Sequence, residues 1–461
     1  MINNAQATAA ATIAARPRTT SPAGVIVAVA AILALDLGVL ALQRFHLGRS
    51  ALFIAVLLFG LIAVALRNRC RLRVRTIMII TAVCQLPGLL FRPTLTDDTY
   101  RFVWDGRVQL AGIDPYRYPP LAGALHALRD PILFPPGSPR PLINRPAVHT
   151  IYPPIAEFWF TVIAAVTPWQ LGTLGVQVAA AAVAVITTGL LARELSSVGP
   201  SGVGRGELAL LYGACPAVTI EAANGAHPDV LAALLVLLMG MALIRRRQGI
   251  AGLFLGLAAG VKLVPLLLLP VFWARGRRRV ILVAPAILLL SYLPHLIAVG
   301  SSVVGYLPGY LQEEGFDGRS RFALLILLPE PARLPVALAL AASLAVLAAI
   351  RSTQEPALIT CCWLYGSAFL VATPAYPWYL LPVMVLAILA RRLEWLALWP
   401  AAYLAFLYGY PQALQTAGYA IALVVIVVSS VRRIHLGNPG APRAGRTRSE
   451  GPCYRPWRGR Y

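Results

Sequence analysis

Two adjacent carboxylates, Asp97 and Asp98, stand where the chain leaves a long apolar segment. A carboxylate in such a position can take a proton from a substrate hydroxyl. Arg101 follows within one helical turn, and an arginine can hold a phosphate through two parallel hydrogen bonds. An acidic pair alone is a weak signal, because helix caps and calcium-like sites also use it. Its place directly after an apolar segment favours acid–base chemistry on a phosphate-containing substrate.

A helix is predicted directly after this acidic pair. Thr96 or Asp97 would cap its start, and Gly112 and Pro115 would end it. Its polar face would carry Asp98, Arg101 and Asp105, and its aromatic residues at the bilayer interface would be Phe102 and Trp104. The helix would therefore lie along a membrane surface, with both carboxylates at its N-terminal end.

Three later segments contain side chains suited to sugar or phosphate binding: Tyr152-Pro153-Pro154, Asn224–Asp229 and Pro374–Tyr379. In the second segment, His227 and Asp229 fit a ligand site and an N-capped turn equally well. In the third, an interfacial aromatic belt explains Tyr376 and Trp378. Stacking of a sugar face or an isoprenoid chain on Trp378 is the functional interpretation.

Lys262 is the single lysine among the 40 cationic side chains of the chain. It falls near the tip of a predicted hairpin of two short apolar helices, residues 249–274. A cation inside an apolar hairpin is costly and usually functional, and an anionic partner such as phosphate would satisfy it. Snorkelling of the ammonium to the interface is the alternative.

The composition places these residues in a membrane protein. The chain has 461 residues, of which 58% are hydrophobic and 13% charged, whereas a soluble domain is about 25% charged. Apolar runs of about 18 residues or more recur, and each can cross a bilayer as a helix. The runs do not alternate as the strands of a membrane barrel would. An all-α integral membrane protein is therefore predicted.

The net charge of +22 does not indicate a nucleic-acid partner, since the arginines cluster in short connections between apolar runs. These clusters mark the cytoplasmic side. Alternation between them predicts 12–14 transmembrane helices and a first outer loop at residues 92–154. Arg193 stays inside only if residues 155–167 form an interfacial or re-entrant helix. Disordered cytoplasmic tails, residues 1–20 and 434–461, would flank a transmembrane domain at residues 21–433.

The predicted topology sorts most of the acids by side. On the outer side lie Asp97, Asp98, Asp105, Asp114, Asp130, Glu221, Asp229, Glu313, Glu314 and Asp317. On the inner side, beside arginines that can pair with them, lie Glu194, Glu207, Glu355, Glu394 and Glu450. Acids contribute little to topology, so their outer concentration indicates a polar site there. The alternative is that outer loops simply tolerate acids.

Six segments resemble, in order, the bacterial polyprenol-phosphate-mannose-dependent mannosyltransferases, including glycosyltransferase family 87 of the GT-C superfamily. The segments are residues 97–109, 111–118, 151–154, 224–229, 256–265 and 376–382. They span residues 90–390, and the first and last are the most specific. The chain departs from simpler members because two spans precede the one that leads into the acidic loop, which leaves the subfamily and the acceptor open.

The resemblance implies a GT-C-like bundle and an inverting hexosyltransferase in a bacterial plasma membrane. Its donor would be a polyprenyl-phosphate sugar, most simply mannose, and its acceptor an envelope glycolipid or polysaccharide on the outer face. An acid of the first outer loop would act as base; Asp97 is favoured over Asp98. The substrate-binding candidates are Arg101, Trp104, Asp105, Tyr152, His227, Asp229, Lys262, Tyr376 and Trp378.

No metal or cofactor is expected with a monophosphate lipid donor, and the expected partners are membrane lipids, with the protein as a monomer. A cation is needed to neutralise the departing phosphate. Lys262, Arg101, Arg319 and Arg321 are the candidates for that role. The alternative from another class is a polytopic transporter or lipid flippase, which predicts mid-membrane acids and an internal repeat. Asp36 is the one clearly mid-span acid, and no repeat is evident.

Overall fold

The computed structural model describes residues 22–66, 72–93, 95–197, 205–273, 277–316, 321–407 and 412–436. This part of the chain is helical and contains no strand, which confirms the all-α class. Some predictions lie outside the described residues. They concern the tail at residues 1–20, most of the tail at residues 434–461, Asp317, Arg319 and Glu450.

The described ranges contain sixteen helices of seven or more residues, apart from 3₁₀ helices. They are α1 Pro22–Leu42, α2 Gly48–Leu66, α3 Val74–Leu89, α4 Asp98–Leu110, α5 Pro154–Val166, α6 Leu174–Ser197, α7 Pro216–Asn224, α8 Asp229–Ile244, α9 Gln248–Val261, α10 Arg278–Val299, α11 Leu307–Glu313, α12 Glu330–Arg351, α13 Ala357–Ala372, α14 Leu381–Leu389, α15 Leu398–Ala405 and α16 Gln412–Leu436. Short 3₁₀ helices, among them Val264–Phe272 and Pro377–Leu380, join several of these.

Six helices of the described part are long and apolar enough to cross a membrane: α1, α2, α6, α10 with its extension to Glu313, α12 and α16. Five further apolar helices have 10–17 residues, which is shorter than the roughly 20 residues that a full crossing needs. The integral membrane class is confirmed. The count of 12–14 spans, which includes the shorter helices, stays a prediction, as do the domain limits.

The helices divide into a lipid-facing set and a central set. On α10 the apolar side chains point outward, with Leu282, Leu289 and Ile297 at least 69% exposed. α8 is buried almost all round, as expected of a helix that is apolar on every side. It packs against α6, α9 and α14. The core of the molecule therefore lies around α8, and the short helices gather there.

A sharp bend joins α7 to α8 and brings residues 224–229 against the end of α3. The two helix axes meet at 115°. The amide of Asn224 donates to the Gly88 and Phe91 carbonyls, and Gly88 has room for no side chain because an added Cβ would lie 2.6 Å from the Ala223 Cβ. Residues 207–221 do not form one continuous helix. Pro216 lacks an amide hydrogen and begins a new helix instead.

The inner-side acids pair with arginines as the sequence predicts. Glu194 accepts from Arg245 at 2.6 Å, and Glu355 from Arg351 at 2.9 Å. Glu394 pairs with Arg433 at 2.5 Å. Glu207 likewise lies 3.5 Å from Arg205. Each of these four acids therefore neutralises a neighbouring arginine.

Candidate active site

A cavity of about 370 Å³ opens between α4, the 144–152 loop, the Lys262 break and the Tyr376 segment. Its walls combine carboxylates, cations and aromatic rings. The polar and charged lining residues are Arg49, Thr96, Asp97, Asp98, Arg101, Asn144, Arg145, His149, Thr150 and Lys262. The aromatic lining residues are Tyr152, Tyr306, Tyr310, Tyr376, Trp378, Tyr379 and Phe406.

Both carboxylates lie where α4 begins, as predicted. Asp97 occupies the N-cap position but makes no side-chain cap bond, and Asp98 is the first helical residue. Asn144 donates a hydrogen bond to Asp98 Oδ1. The Thr99 hydroxyl donates to the Gly225 carbonyl at 2.7 Å, which fastens the start of α4 to the α7–α8 bend. Neither carboxylate caps the helix, and both line the cavity at a helix end that the Thr99–Gly225 hydrogen bond holds in place.

The environment of Asp97 makes its carboxylate more basic than that of an ordinary aspartate. Burial raises the pKa of the Asp97 carboxyl above its ordinary value, and the neighbouring charge of Asp98 raises it further. Arg145 and Asn144 oppose part of this shift. An acid with a raised pKa is a better proton acceptor than an ordinary aspartate, which suits a general base.

Three cations of the cavity are each paired with an acid. The Arg101 Nε atom lies 2.9 Å from both carboxylate oxygens of Asp105, and its NH1 donates to the Val148 carbonyl. Lys262 lies 3.4 Å from Asp229. The Arg145 guanidinium lies 2.7 Å from a carboxylate oxygen that Glu313 contributes from α11. These cations are held in place before any substrate arrives.

Lys262 stands in the break between α9 and the 3₁₀ helix Val264–Phe272, which confirms the predicted hairpin of short helices. Its ammonium lies 4.6 Å from the ring centre of Tyr379 and 5.5 Å from that of Tyr152. Aromatic faces attract a cation in this way. Lys262 therefore turns inward to an acid and two rings, and snorkelling to the interface does not describe it.

Seven of the eleven predicted site residues line the cavity: Asp97, Asp98, Arg101, Tyr152, Lys262, Tyr376 and Trp378. His227 and Asp229 lie directly behind its wall, each 2% exposed. The ring of His227 stacks on Trp378 with 4.1 Å between centroids. The ring of Tyr376 also stacks on Trp378, with 4.8 Å between centroids. The third predicted segment is thus an aromatic wall of the cavity.

Predictions for four residues need correction. Trp104 is 1% exposed and packs edge-on against Phe134, and Phe102 is fully buried against Phe160. The expected position of both rings at the bilayer interface is therefore wrong, because α5 and the outer loop cover that face of α4. Asp105 also points away from the cavity and serves Arg101. Arg321 is likewise bound to Glu314 outside the cavity.

Several lining residues were not predicted. Asn144 and Arg145 lie in a loop without periodicity, and Arg145 adopts a positive φ of 40° that no sequence pattern announces. Arg49 comes from the start of α2, with its guanidinium 4.2 Å from the ring centre of Phe406. The cluster of Arg and Asn residues around 140–145 is the only signal that pointed to this loop.

Residues 150–374 match the family model described as Glycosyltransferase family 87. No curated protein and no solved structure matches the chain. The family match covers Tyr152, the α7–α8 bend and Lys262, which all contribute to the cavity or its wall. It confirms the resemblance given by the sequence motifs. The similarity of residues 150–374 to glycosyltransferase family 87, together with the apolar helices, supports a membrane glycosyltransferase.

Proposed function

We propose that this membrane glycosyltransferase moves a hexose, most simply mannose, from a polyprenyl-phosphate donor to an envelope glycolipid or polysaccharide. The observation that carries the proposal is the cavity, which Asp97 and Asp98 line together with Lys262 and a group of aromatic rings. Such a set matches a donor with a phosphate, a sugar ring and an apolar chain. Protein pockets for small molecules commonly have 300–1,000 Å³, so about 370 Å³ suits a sugar with its phosphate.

The reaction divides among the lining residues. One carboxylate of the Asp97/Asp98 pair takes the proton of the acceptor hydroxyl. The hydroxyl oxygen attacks the anomeric carbon from the face opposite the phosphate, so the configuration inverts. Lys262 and Arg145 neutralise the charge that develops on the departing phosphate. A positioned base typically contributes about 10²–10⁴-fold to the rate.

The proposed location of the reaction is the outer face of a bacterial plasma membrane. The support is the segregation of charge, because the arginine-rich connections mark the cytoplasmic side and the acidic loop falls on the other. In the predicted topology, the acids and aromatic rings of the cavity come from segments on that second side. The proposed site roles of Arg101, Tyr152, Tyr376 and Trp378 are to shape this cavity around sugar and phosphate.

The direct test uses the purified protein in lipid nanodiscs with radiolabelled polyprenyl-phosphate mannose and envelope glycolipids as acceptor. We expect label to pass to the acceptor with inversion, and Asp97→Asn combined with Asp98→Asn to abolish transfer without loss of folding. Polyprenyl-phosphate glucose and galactose identify the sugar. Full transfer by the double variant would refute the catalytic assignment.

A transporter or flippase remains the competing function, and proteoliposomes distinguish it. A flippase would move a fluorescent polyprenyl phosphate between leaflets without transferring sugar. We expect the opposite pattern: transfer without leaflet exchange.

A further inference from the structure

A chain of polar contacts runs from the cavity into the protein behind Trp378. His227 Nε2 faces the cavity, 3.3 Å from Thr96 Oγ1 and 3.8 Å from Asp98 Oδ2. Its Nδ1 faces the interior, 2.7 Å from Glu221 Oε2. The imidazole thus bridges a carboxylate at the cavity and a carboxylate in the interior. His227 itself does not line the cavity, so it acts on Asp98 and not on the substrate.

Glu221 is buried, with one carboxylate oxygen against His227 and the other against Tyr403. It is 3% exposed, and its other oxygen accepts a hydrogen bond from the Tyr403 hydroxyl. A buried carboxylate needs such partners because water cannot reach it. The Glu221 carboxylate, 2.7 Å from Nδ1, favours the tautomer with the proton on Nδ1, which leaves the Nε2 lone pair available for a proton from Asp98.

The backbone at the α7–α8 bend fixes the ring in this position. The His227 amide donates to the Glu221 carbonyl at 2.9 Å, and Ala226 adopts a positive φ of 48°. A Cβ on Gly225 would lie 2.8 Å from His227 Cε1, so this glycine leaves the space that the imidazole fills. Both the acid and the histidine are therefore set by one short segment.

The other charges near His227 are already balanced. Asp229 follows it at the start of α8 and is paired with Lys262 at 3.4 Å. Asp98 faces the ring from α4 and Glu221 from α7, while the rings of Phe102 and Trp378 cover its remaining sides. Glu221 is therefore the carboxylate that can stabilise a positive charge on His227 when a proton arrives.

We propose that His227, oriented by Glu221 and Tyr403, takes up the proton that Asp98 removes from the acceptor. This rests on the transferase function proposed above and makes Asp98, not Asp97, the general base. Asn144 holds one Asp98 oxygen, and the other lies between His227 and the cavity. The Nε2–Oδ2 distance of 3.8 Å is long for a hydrogen bond, and such contacts often shorten when substrate binds.

The step balances in atoms and charge. The acceptor oxygen bonds to the anomeric carbon while the bond from that carbon to the phosphate oxygen breaks, and its electron pair stays on the phosphate. The acceptor proton moves to Asp98 and then to His227 Nε2, which restores the Asp98 carboxylate. Glu221 balances the imidazolium charge. His227 then returns the proton through Asp98 to the departing phosphate, so both residues are reset.

The test compares His227→Gln and Glu221→Gln with His295→Gln in the nanodisc assay with polyprenyl-phosphate mannose. His295 is a matched control, since it lies 2.7 Å from Asp114 in a similar pair that does not line the cavity. Gln at position 227 keeps hydrogen-bonding capacity but cannot carry a proton. We expect kcat to fall about 10–100-fold in both relay variants, with the donor KM nearly unchanged. His295→Gln should match wild type.

Chemical rescue separates a proton-carrying role from a structural one. Added imidazole should restore part of the kcat of His227→Ala and none of that of Asp98→Asn. If the His227 variants fail to fold, Tyr403→Phe tests the relay instead. This variant removes the hydroxyl that donates to Glu221, and we expect its kcat to fall roughly tenfold.

Wild-type kcat in His227→Gln would overturn the relay, and so would a folded His227→Ala that imidazole leaves inactive. If His227→Gln does not fold, wild-type kcat in Tyr403→Phe overturns it. The transferase proposal fails separately, if wild-type protein transfers no hexose at all.

Discussion

At the scale of single residues, the close pair of carboxylates sets the response to pH. A base works only when ionised, so transfer should be lost as pH falls. Because burial and the charge of Asp98 raise the pKa of Asp97, its carboxylate takes up a proton at a higher pH than an ordinary aspartate with a pKa of about 3.9. The acid limb of kcat/KM should therefore lie at a higher pH than an ordinary aspartate would give.

Replacing Arg145 should shift the acid limb of the pH profile to higher pH. Its charge lowers the pKa of Asp97, so Arg145→Gln raises that pKa and shifts the acid limb of kcat/KM to higher pH. Arg140→Gln is the control, since Arg140 is exposed in the same loop and does not line the cavity. A limb that stays in place in Arg145→Gln would show that Asp97 does not belong to the reacting pair.

The Lys262–Asp229 pair predicts a separation of stability from activity. Lys262→Met leaves Asp229 buried without its cation, which typically costs about 3–5 kcal/mol. Adding Asp229→Asn removes the stranded charge and should recover most of the melting temperature in detergent. Transfer should stay low in both, because the phosphate has lost its cation. Recovered transfer in the double variant would exclude Lys262 from phosphate binding.

The sequence predicts a site residue where a charged side chain lies in or directly after an apolar segment. An acidic pair after a span and a lone lysine among apolar residues are both costly unless used, so they stand out. Asn144 and Arg145 did not stand out, because polar residues are ordinary in an outer loop. Their position depends on how the loop folds back over α4, which involves contacts far apart in the sequence.

At the scale of elements, α4 is held against α5 at a point of backbone contact. A Cβ on Gly106 would lie 2.4 Å from the Phe160 carbonyl oxygen. Gly106→Val should therefore push the helices apart, and overpacking of this kind costs about 1–3 kcal/mol. Gly123→Ala is the control, since nothing lies within 4 Å of its Cβ position. We expect a lower melting temperature and weaker transfer only in Gly106→Val.

The hairpin of α1 and α2 contributes directly to the cavity through Arg49. This arginine is held over Phe406, and no carboxylate in the described ranges pairs with it. We expect Arg49→Gln to raise the KM for the polyprenyl-phosphate donor, with a smaller change in kcat. Arg73→Gln is the control, because Arg73 precedes α3 away from the cavity. An unchanged donor KM would limit Arg49 to packing.

Helix limits were predictable because apolar runs and proline positions are local signals. The environment of α4 was not, because an apolar helix face looks the same whether lipid or protein covers it. Phe102 and Trp104 were assigned to the bilayer interface for this reason, and packing by α5 and the outer loop decided otherwise. The helix start at Pro216 follows from the missing amide hydrogen of proline.

At the scale of the whole molecule, topology is the prediction to test. In a protein with Cys70 and Cys453 replaced by Ser, the four other cysteines are buried. A cysteine at exposed Ser138 should react with an impermeant maleimide added outside intact cells, and one at Arg247 should react only after lysis. The opposite pattern would invert the proposed orientation and move the reaction to the cytoplasmic face.

Lys262 gives the molecule one further property. Apart from the chain terminus, its ammonium is the single primary amine of the protein, and it faces the cavity. Any amine-directed reagent small enough to enter therefore marks one known position. Its reaction rate becomes a gauge of occupancy, because a bound phosphate would shield the nitrogen. Cleavage after lysine would likewise cut the chain once, between the acidic pair Asp97 and Asp98 and the aromatic segment at residues 376–379.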